Sequence, residues 1–174
     1  MAAIKEIKAA IRDVADFPKT GVLFRDITPL LGDAEKFAAT TNKLIAKFKN
    51  LGITKVLGIE SRGFILAAPA AVKLKVGFVP VRKKGKLPCK TVSASYQLEY
   101  GTDSLEMHED ALKPGEKVLI IDDVLATGGT LQAVTELVRK TGGEIAGIAV
   151  LAELKALKGR EKLSQYPLVS LIKY

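Results

Sequence analysis

Apolar residues recur in this chain with two different periods, one typical of helices and one typical of strands. Ile4, Ile7, Ile11 and Val14 lie at helical spacing, which predicts an amphipathic helix from the N-terminus to near Asp16. A loop rich in proline and glycine follows. A second apolar stripe then predicts a helix that ends near a glycine.

Continuous apolar runs alternate with further helical patterns over the rest of the chain. KVLGI (Lys55–Ile59) and the run VLIID that begins at Val118 are typical of parallel strands buried on both faces. Strands are also predicted for Val76–Val81, for EIAGIAVLAEL and for LVSLIKY. Strand and helix in alternation predict an α/β fold around a mainly parallel sheet. Because we find no repeat, linker or low-complexity tract, we predict one domain over residues 1–174.

The clearest alternation of apolar and polar residues runs from Val92 to Tyr100. It predicts a strand with one polar face, which ends in Glu99 and Tyr100. Residues 101–104 are predicted to form a turn, and LEMHED the returning strand of an antiparallel hairpin.

Charge narrows the choice of partners. The formal net charge is +8, and its densest cluster contains Arg82, Lys83, Lys84, Lys86 and Lys90. No aromatic residue is interleaved with this cluster to stack on bases, so we expect a local anion site and no nucleic acid. Apolar runs too short to span a bilayer and a charged N-terminus predict a soluble, intracellular protein with no membrane contact.

The segment VLIIDDVLATGGT (Val118–Thr130) carries the most specific chemistry in the sequence. A buried strand reaches Asp122 and Asp123, and a glycine turn then leads into a helix. Ligands of open α/β sheets bind beyond the carboxyl ends of the strands. Backbone N–H groups at the helix start, with the hydroxyls of Thr127 and Thr130, would form a cradle for a phosphate group. Two carboxylates beside that cradle would bind sugar hydroxyls or act through a metal ion.

Several motifs extend this interpretation to a known family. VLIIDDVLATGGT resembles the phosphoribosyl-diphosphate motif of type I phosphoribosyltransferases. GVLFRDITPLL, GIESRGF, VRKKGKLP, SYQLEYG and LKGREKL resemble the adenine phosphoribosyltransferases, in that family's order. The resemblance runs from Phe17 to the C-terminus. It implies a twisted sheet flanked by helices, an antiparallel flap hairpin and a short N-terminal hood region.

The resemblance also implies a reaction, transfer of phosphoribose from 5-phosphoribosyl 1-diphosphate to N9 of adenine, and it assigns residue roles. Glu99 would be the general acid or base near purine N7, with Tyr100 beside it on the flap. The ribose hydroxyls would bind Asp122 and Asp123, and the 5′-phosphate would bind Ala126, Thr127, Gly128, Gly129 and Thr130. Pyrophosphate would bind Arg62, Arg82, Lys83 and Lys86. Adenine would bind Leu23, Phe24 and Arg25.

Further expectations follow from the same resemblance. Mg²⁺ would be bound mainly through substrate and water, the protein would be a cytoplasmic homodimer, and the peptide bond Glu60–Ser61 would be cis. Considered without the family, Glu99 is a solvated strand residue and the basic cluster is a surface loop. Two other functions stay open: transfer to a different purine, and a regulator of the same fold that senses phosphoribosyl diphosphate and binds nucleic acid.

Overall fold

The computed structural model describes residues 2–98 and 101–174. Its contacts divide the chain into two compact units, Met1–Lys43 and Leu44–Tyr174. That residues 1–174 form a single domain stays a prediction.

The first unit is built from short elements. They are α1 (Ile4–Ala9), β1 (Arg12–Val14), β2 (Phe24–Asp26), α2 (Thr28–Gly32) and the start of α3 (Ala34–Ile45). The two strands pair antiparallel, with Asp13 opposite Arg25.

The predicted extent of the first helix is wrong, because α1 ends at Ala9 and the chain then enters β1. Contacts with residues distant in sequence replace helical hydrogen bonds in β1. The Arg12 guanidinium donates to Asp26 at 3.1 and 2.8 Å, and Arg25 forms an ion pair with Asp13. The segment predicted as a plain loop therefore contains β2 and α2.

The second unit contains the main sheet and the helices connected to it. Its elements are β3 (Lys55–Ile59), α4 (Arg62–Leu74), β4 (Gly77–Lys83), β5 (Thr91–Leu98), β6 (Gly101–His108), β7 (Lys117–Leu125), α5 (Gly129–Lys140), β8 (Glu144–Glu153), two 3₁₀ helices (Lys155–Leu157 and Gly159–Leu163) and β9 (Leu168–Lys173). The predicted strands and helices of this unit are present, most with ends shifted by a few residues.

The seven strands lie in the order β5-β6-β4-β3-β7-β8-β9. The strands β4, β3, β7, β8 and β9 pair parallel with one another. The flap strands β5 and β6 pair antiparallel, β5 with β6 and β6 with β4. This sheet confirms the predicted α/β class with its mainly parallel sheet. Every residue of β7 from Val118 to Asp123 is buried, as expected for a central strand covered on both faces.

The predicted flap hairpin is present as β5 and β6, with Thr91 opposite His108 and Leu98 opposite Gly101. The predicted turn at residues 101–104 is wrong, since these residues belong to β6. Cross-strand contacts keep them there: the hydroxyls of Ser95 and Ser104 are 2.9 Å apart.

In the described part of the chain, no helix has the length and apolar character needed to cross a bilayer. The parallel strands β4, β3 and β7 are neighbours, so their carboxyl ends meet at one edge of the sheet. β7 keeps its pairing with β8 as far as Leu125, whereas its pairing with β3 stops at Ile121. The last residues of β7 therefore have one unpaired side, where a ligand can approach.

Candidate active site

A tight loop joins β7 to α5, and we call residues 126–130 the cradle. Gly128 has φ +81°, a conformation that side-chain-bearing residues rarely adopt. Its carbonyl accepts a hydrogen bond from the amide of Gln132 at 2.9 Å, so the helix begins directly after it. The loop encloses a small cavity of about 50 Å³. Amide groups at a helix start favour an anion.

Two carboxylates precede the cradle. Asp122 and Asp123 are both buried, and the Asp123 amide donates to the Asp122 carboxylate at 2.9 Å. Burial and the neighbouring negative charge of Asp123 raise the pKa of Asp122 well above its usual value. Burial also raises the pKa of Asp123, although the nearby guanidinium of Arg62 opposes that shift.

Arg62, the first residue of α4, reaches this pair. Its guanidinium lies 2.5 Å from the Asp123 carboxylate. The peptide bond Glu60–Ser61, just before α4, is cis, in agreement with the expectation from the resemblance. Gly63 packs directly on Asp122: a Cβ atom there would lie 2.8 Å from the carboxylate oxygen. The start of α4 thus packs on Asp122 too closely for a larger residue.

The basic segment formed by the end of β4 and the residues after it (82–90), which we call the basic loop, is organised around Glu60. The sequence did not single out this carboxylate. One Glu60 oxygen accepts hydrogen bonds from Lys86 Nζ at 2.6 Å and from Arg82 at 3.2 Å. The other accepts the backbone amide of Lys83 at 3.0 Å. Burial would raise the pKa of Glu60, but the hydrogen bonds from Lys86, Lys83 and Arg82 outweigh it and lower the pKa to about 2.

A second chain of contacts links the basic loop to the cradle. Lys83 Nζ lies 3.1 Å from the carboxylate of Asp103 on β6. Asp103 accepts the hydroxyl of Tyr96 on β5 at 3.3 Å, and that hydroxyl also has a hydrogen bond with the Thr130 side chain. Tyr96 therefore stands between the basic loop and the phosphate cradle.

These groups surround one cavity of about 250 Å³ at the carboxyl ends of β3, β4 and β7. Its polar lining combines anion-binding and acidic groups: Glu60, Ser61, Arg62, Lys83, Tyr96, Asp122, Asp123 and Thr130. Such a mixture suits a ligand that carries both phosphate groups and sugar hydroxyls. The described residues contain no cluster of three or more histidine, cysteine or carboxylate side chains that could hold a metal by itself.

Comparison with known proteins identifies the family. The phosphoribosyl transferase domain model matches residues 26–172. The chain is 55% identical to the adenine phosphoribosyltransferase of Vibrio cholerae, over 90% of this chain and 87% of the relative. With the Escherichia coli enzyme of that name, identity is 51% over 96% of this chain and 91% of the relative.

Solved structures agree. The adenine phosphoribosyltransferase from Rhodothermus marinus superposes with a TM-score of 0.95 at 52% identity, over 98% of each chain. The one from Thermoanaerobacter pseudethanolicus gives a TM-score of 0.96 at 49% identity, over 99% of this chain and 100% of that chain. This chain belongs to the adenine phosphoribosyltransferase family. The predicted family, fold class and enzyme class are confirmed.

The structure brings most of the predicted site residues of the second unit together. Asp122, Asp123, Thr130, Arg62 and Lys83 line the main cavity, and the remaining cradle residues follow β7 directly. The other two predicted cations, Arg82 and Lys86, do not line it but are bound to Glu60, which does.

The predicted adenine residues lie in the first unit. Leu23 is half exposed, and Phe24 stacks edge-on against Phe17 with ring centroids 5.1 Å apart. Phe24 also lines a mostly apolar cavity of about 210 Å³ with Val14, Phe17 and Asp26. The predicted catalytic residue Glu99 and its neighbour Tyr100 lie outside the described residues.

Three residues of the site were missed from the sequence: Glu60, Tyr96 and Asp103. Glu60 could have been noticed, since it stands in the ESRG motif between the end of a strand and Arg62. Asp103 was assigned to a turn, and Tyr96 was placed on the predicted strand without a role of its own. Only the pairing of Tyr96 with Asp103 across the hairpin brings these two into one chain of contacts.

Proposed function

We propose that this protein transfers the 5-phosphoribosyl group from 5-phosphoribosyl 1-diphosphate to N9 of adenine, giving AMP and pyrophosphate in purine salvage. One observation carries the proposal: in a chain of this family, a phosphate cradle, two buried carboxylates and several cations meet at the same sheet edge. That set of groups matches the parts of the sugar substrate in order.

The cradle would bind the 5′-phosphate. Ala126, Thr127, Gly128, Gly129 and Thr130 offer backbone amides and two hydroxyls at the start of α5. These donors are held in place before the ligand arrives, so binding them costs little reorganisation. This grip would fix the sugar relative to the reacting carbon.

The two aspartates would bind the ribose 2′- and 3′-hydroxyls. Both carboxylates are buried, and their raised pKa values show that a second negative charge is unfavourable there. Hydroxyl donors from ribose would supply the hydrogen bonds that water provides at the surface. Loss of pyrophosphate leaves positive charge at C1, and nearby carboxylates would stabilise that oxocarbenium-like state.

The cations would bind the departing pyrophosphate. Arg62 and Lys83 line the cavity, and Arg62 can bind a phosphate group with two parallel hydrogen bonds. Arg82 and Lys86 would move from Glu60 to the incoming anion. Negative charge on pyrophosphate grows as the C1–O bond breaks, so fixed positive charge stabilises the transition state more than the bound substrate.

Mg²⁺ fits this site as a partner of the substrate. Oxygen donors are the ligands that Mg²⁺ prefers, and Asp122 and Asp123 line the cavity side by side. Two carboxylates are too few for a closed protein cage, so they would hold the ion chiefly through water and diphosphate oxygens. When bound, the ion would neutralise charge on the diphosphate.

The base would be bound by Leu23, Phe24 and Arg25, with the Phe24 ring as a flat apolar surface for the purine. Glu99 would exchange a proton with N7, and Tyr100 would accompany it on the flap. We further propose that the protein is a cytoplasmic homodimer. Size-exclusion chromatography with light scattering would test the dimer.

The deciding experiment is incubation of the purified protein with adenine, 5-phosphoribosyl 1-diphosphate and Mg²⁺. We expect AMP and pyrophosphate in equal amounts, detected by chromatography. Hypoxanthine and guanine should react far more slowly in parallel reactions. Equal rates with those bases would contradict the adenine specificity, and tight nucleic-acid binding without AMP formation would indicate the regulator instead.

A further inference from the structure

The LKGREKL motif (Leu157–Leu163) lies directly behind the cradle, although the reaction gives it no role. Its Gly159 and the cradle Gly128 are in backbone contact. A Cβ atom on Gly128 would lie 2.5 Å from the Gly159 carbonyl oxygen. A Cβ atom on Gly159 would lie 2.7 Å from the Gly128 nitrogen and 2.8 Å from the Thr127 carbonyl carbon. The two segments therefore touch where neither can carry a side chain.

The next residue, Arg160, anchors this contact to the sheet. Its guanidinium donates to both oxygens of Glu153, at 2.9 and 2.6 Å. It also donates to the Leu168 carbonyl at 3.1 Å and to the Ser170 hydroxyl at 3.0 Å. Glu153 is buried at the end of β8, and Ser170 belongs to β9. The hydrogen bonds from Arg160 and Ser170 outweigh burial and lower the pKa of Glu153 to about 2.

We infer that Gly159 and Arg160 are positioning residues that hold the cradle backbone in its 5′-phosphate-binding shape. The inference rests on the proposed function for the identity of that ligand. Arg160 fixes the 3₁₀ segment on two strands, and Gly159 presents its bare backbone to Ala126–Gly128. Because the cradle binds through amide groups, a small displacement of its backbone misaligns several donors at once.

The first test is Gly159→Ala, with Gly32→Ala as the matched control. A Cβ atom on Gly32 would meet nothing within 4 Å, and neither glycine has a positive φ. We expect Gly159→Ala to weaken ribose 5-phosphate binding by at least about tenfold, while pyrophosphate binding changes by less than about twofold. Calorimetric titration with each ligand measures both. Wild-type affinity for ribose 5-phosphate in Gly159→Ala would overturn the inference.

The second test changes the anchor without touching the cradle. Arg160→Lys keeps the positive charge but cannot reproduce the bonds of the guanidinium fork, so ribose 5-phosphate should bind about three- to tenfold more weakly than to wild type. A purely stabilising role would lower the melting temperature and leave the affinity ratio of ribose 5-phosphate to pyrophosphate unchanged, which would contradict the inference.

Failure of the inference and failure of the proposed function give different results. If the wild type forms AMP and Gly159→Ala binds ribose 5-phosphate normally, only the positioning role is wrong. If the wild type binds ribose 5-phosphate but forms no AMP, the proposed reaction is wrong, and selective weakening in Gly159→Ala would still support the positioning role.

Discussion

The cradle and the pyrophosphate region lie at the same sheet edge but are built in opposite ways. The cradle is one contiguous loop whose binding groups are mostly backbone amides, shaped by Gly128 and by the backbone of Gly159 behind it. The pyrophosphate region collects side-chain cations from the start of α4, the end of β4 and the loop after β4. Each cation is bound to a carboxylate: Arg62 to Asp123, Lys83 to Asp103, and Arg82 and Lys86 to Glu60.

The difference shows which part of the site is rigid and which part can exchange one binding partner for another. A backbone cradle has one shape and tolerates little change, because its donors cannot be repositioned individually. A set of paired side chains can change partner, so an arriving phosphate can replace a resident carboxylate. Removing one such side chain should weaken binding by a limited factor. Distorting the cradle should weaken binding by a larger factor.

The largest effect should come from Gly128→Ala, compared with Gly85→Ala in the basic loop. Both glycines have nearly the same φ, +81° and +79°, but only at Gly128 would a Cβ atom meet backbone. We expect Gly128→Ala to lower kcat/KM for 5-phosphoribosyl 1-diphosphate by at least about 100-fold and Gly85→Ala by less than about fivefold. Steady-state kinetics measures both; equal losses would remove the contrast between the two regions.

Asp122→Asn should lower activity and raise stability. The raised pKa of Asp122 means that its stabilising effect is present below about pH 3.8 and is lost as pH rises through the folded-state value. Ionisation of the buried Asp122 carboxyl therefore opposes folding, and the neutral asparagine side chain removes that cost. We expect about a 30-fold loss of kcat/KM together with a higher melting temperature at pH 7. A lower melting temperature would contradict the pKa direction.

Lys86→Gln should have an intermediate effect on the pyrophosphate region. We expect pyrophosphate to bind about tenfold more weakly, with ribose 5-phosphate unaffected, because one mobile cation of several is lost. The matched control is Lys84→Gln in the same loop, which should change pyrophosphate binding by less than about twofold. Binding is measured by calorimetric titration at two salt concentrations. If both variants lose the same affinity for pyrophosphate, the net charge of the loop determines binding and the position of Lys86 does not.

Tyr96→Phe should have a smaller effect, because it removes only the hydroxyl that joins the two regions. We expect kcat/KM for 5-phosphoribosyl 1-diphosphate to fall about threefold, the size typical of one lost hydrogen bond. The control is Tyr166→Phe, because Tyr166 packs against the core of the same unit. Unchanged kinetics in Tyr96→Phe would show that the hydroxyl chain to Thr130 does not contribute.

Glu60 should stabilise the protein at neutral pH and lose that effect in acid. Its pKa is lowered from 4.5 to about 2, so its stabilising effect is present above pH 4.5 and is lost as pH falls through about 2. Urea unfolding at pH values from 7 to 2 measures this effect. The free energy of unfolding should fall less with decreasing pH for Glu60→Gln than for wild type. Glu109→Gln, at an exposed position, should decline as wild type does.

Much of the fold could be predicted from periodicity. Lys55–Ile59 is the strand that its apolar run indicated, and β7 has the full burial expected of a central parallel strand. Where prediction failed, contacts distant in sequence had replaced local preference. The helical pattern that reached Val14 was overridden by the pairing of Arg12–Val14 with Phe24–Asp26, and the turn at Gly101 was displaced by the register of the hairpin.

The sequence by itself determined the cradle, because that part of the site is contiguous: buried strand, paired aspartates, glycine turn and helix start follow one another from Val118 to Thr130. Tertiary structure alone decided which distant groups meet. Glu60 meets Lys86 across two strand ends, Tyr96 on β5 meets Thr130 at the start of α5, and Gly159 meets Gly128 behind the cradle. A local pattern encodes backbone conformation, whereas partners distant in sequence become neighbours only when the strands take their order in the sheet.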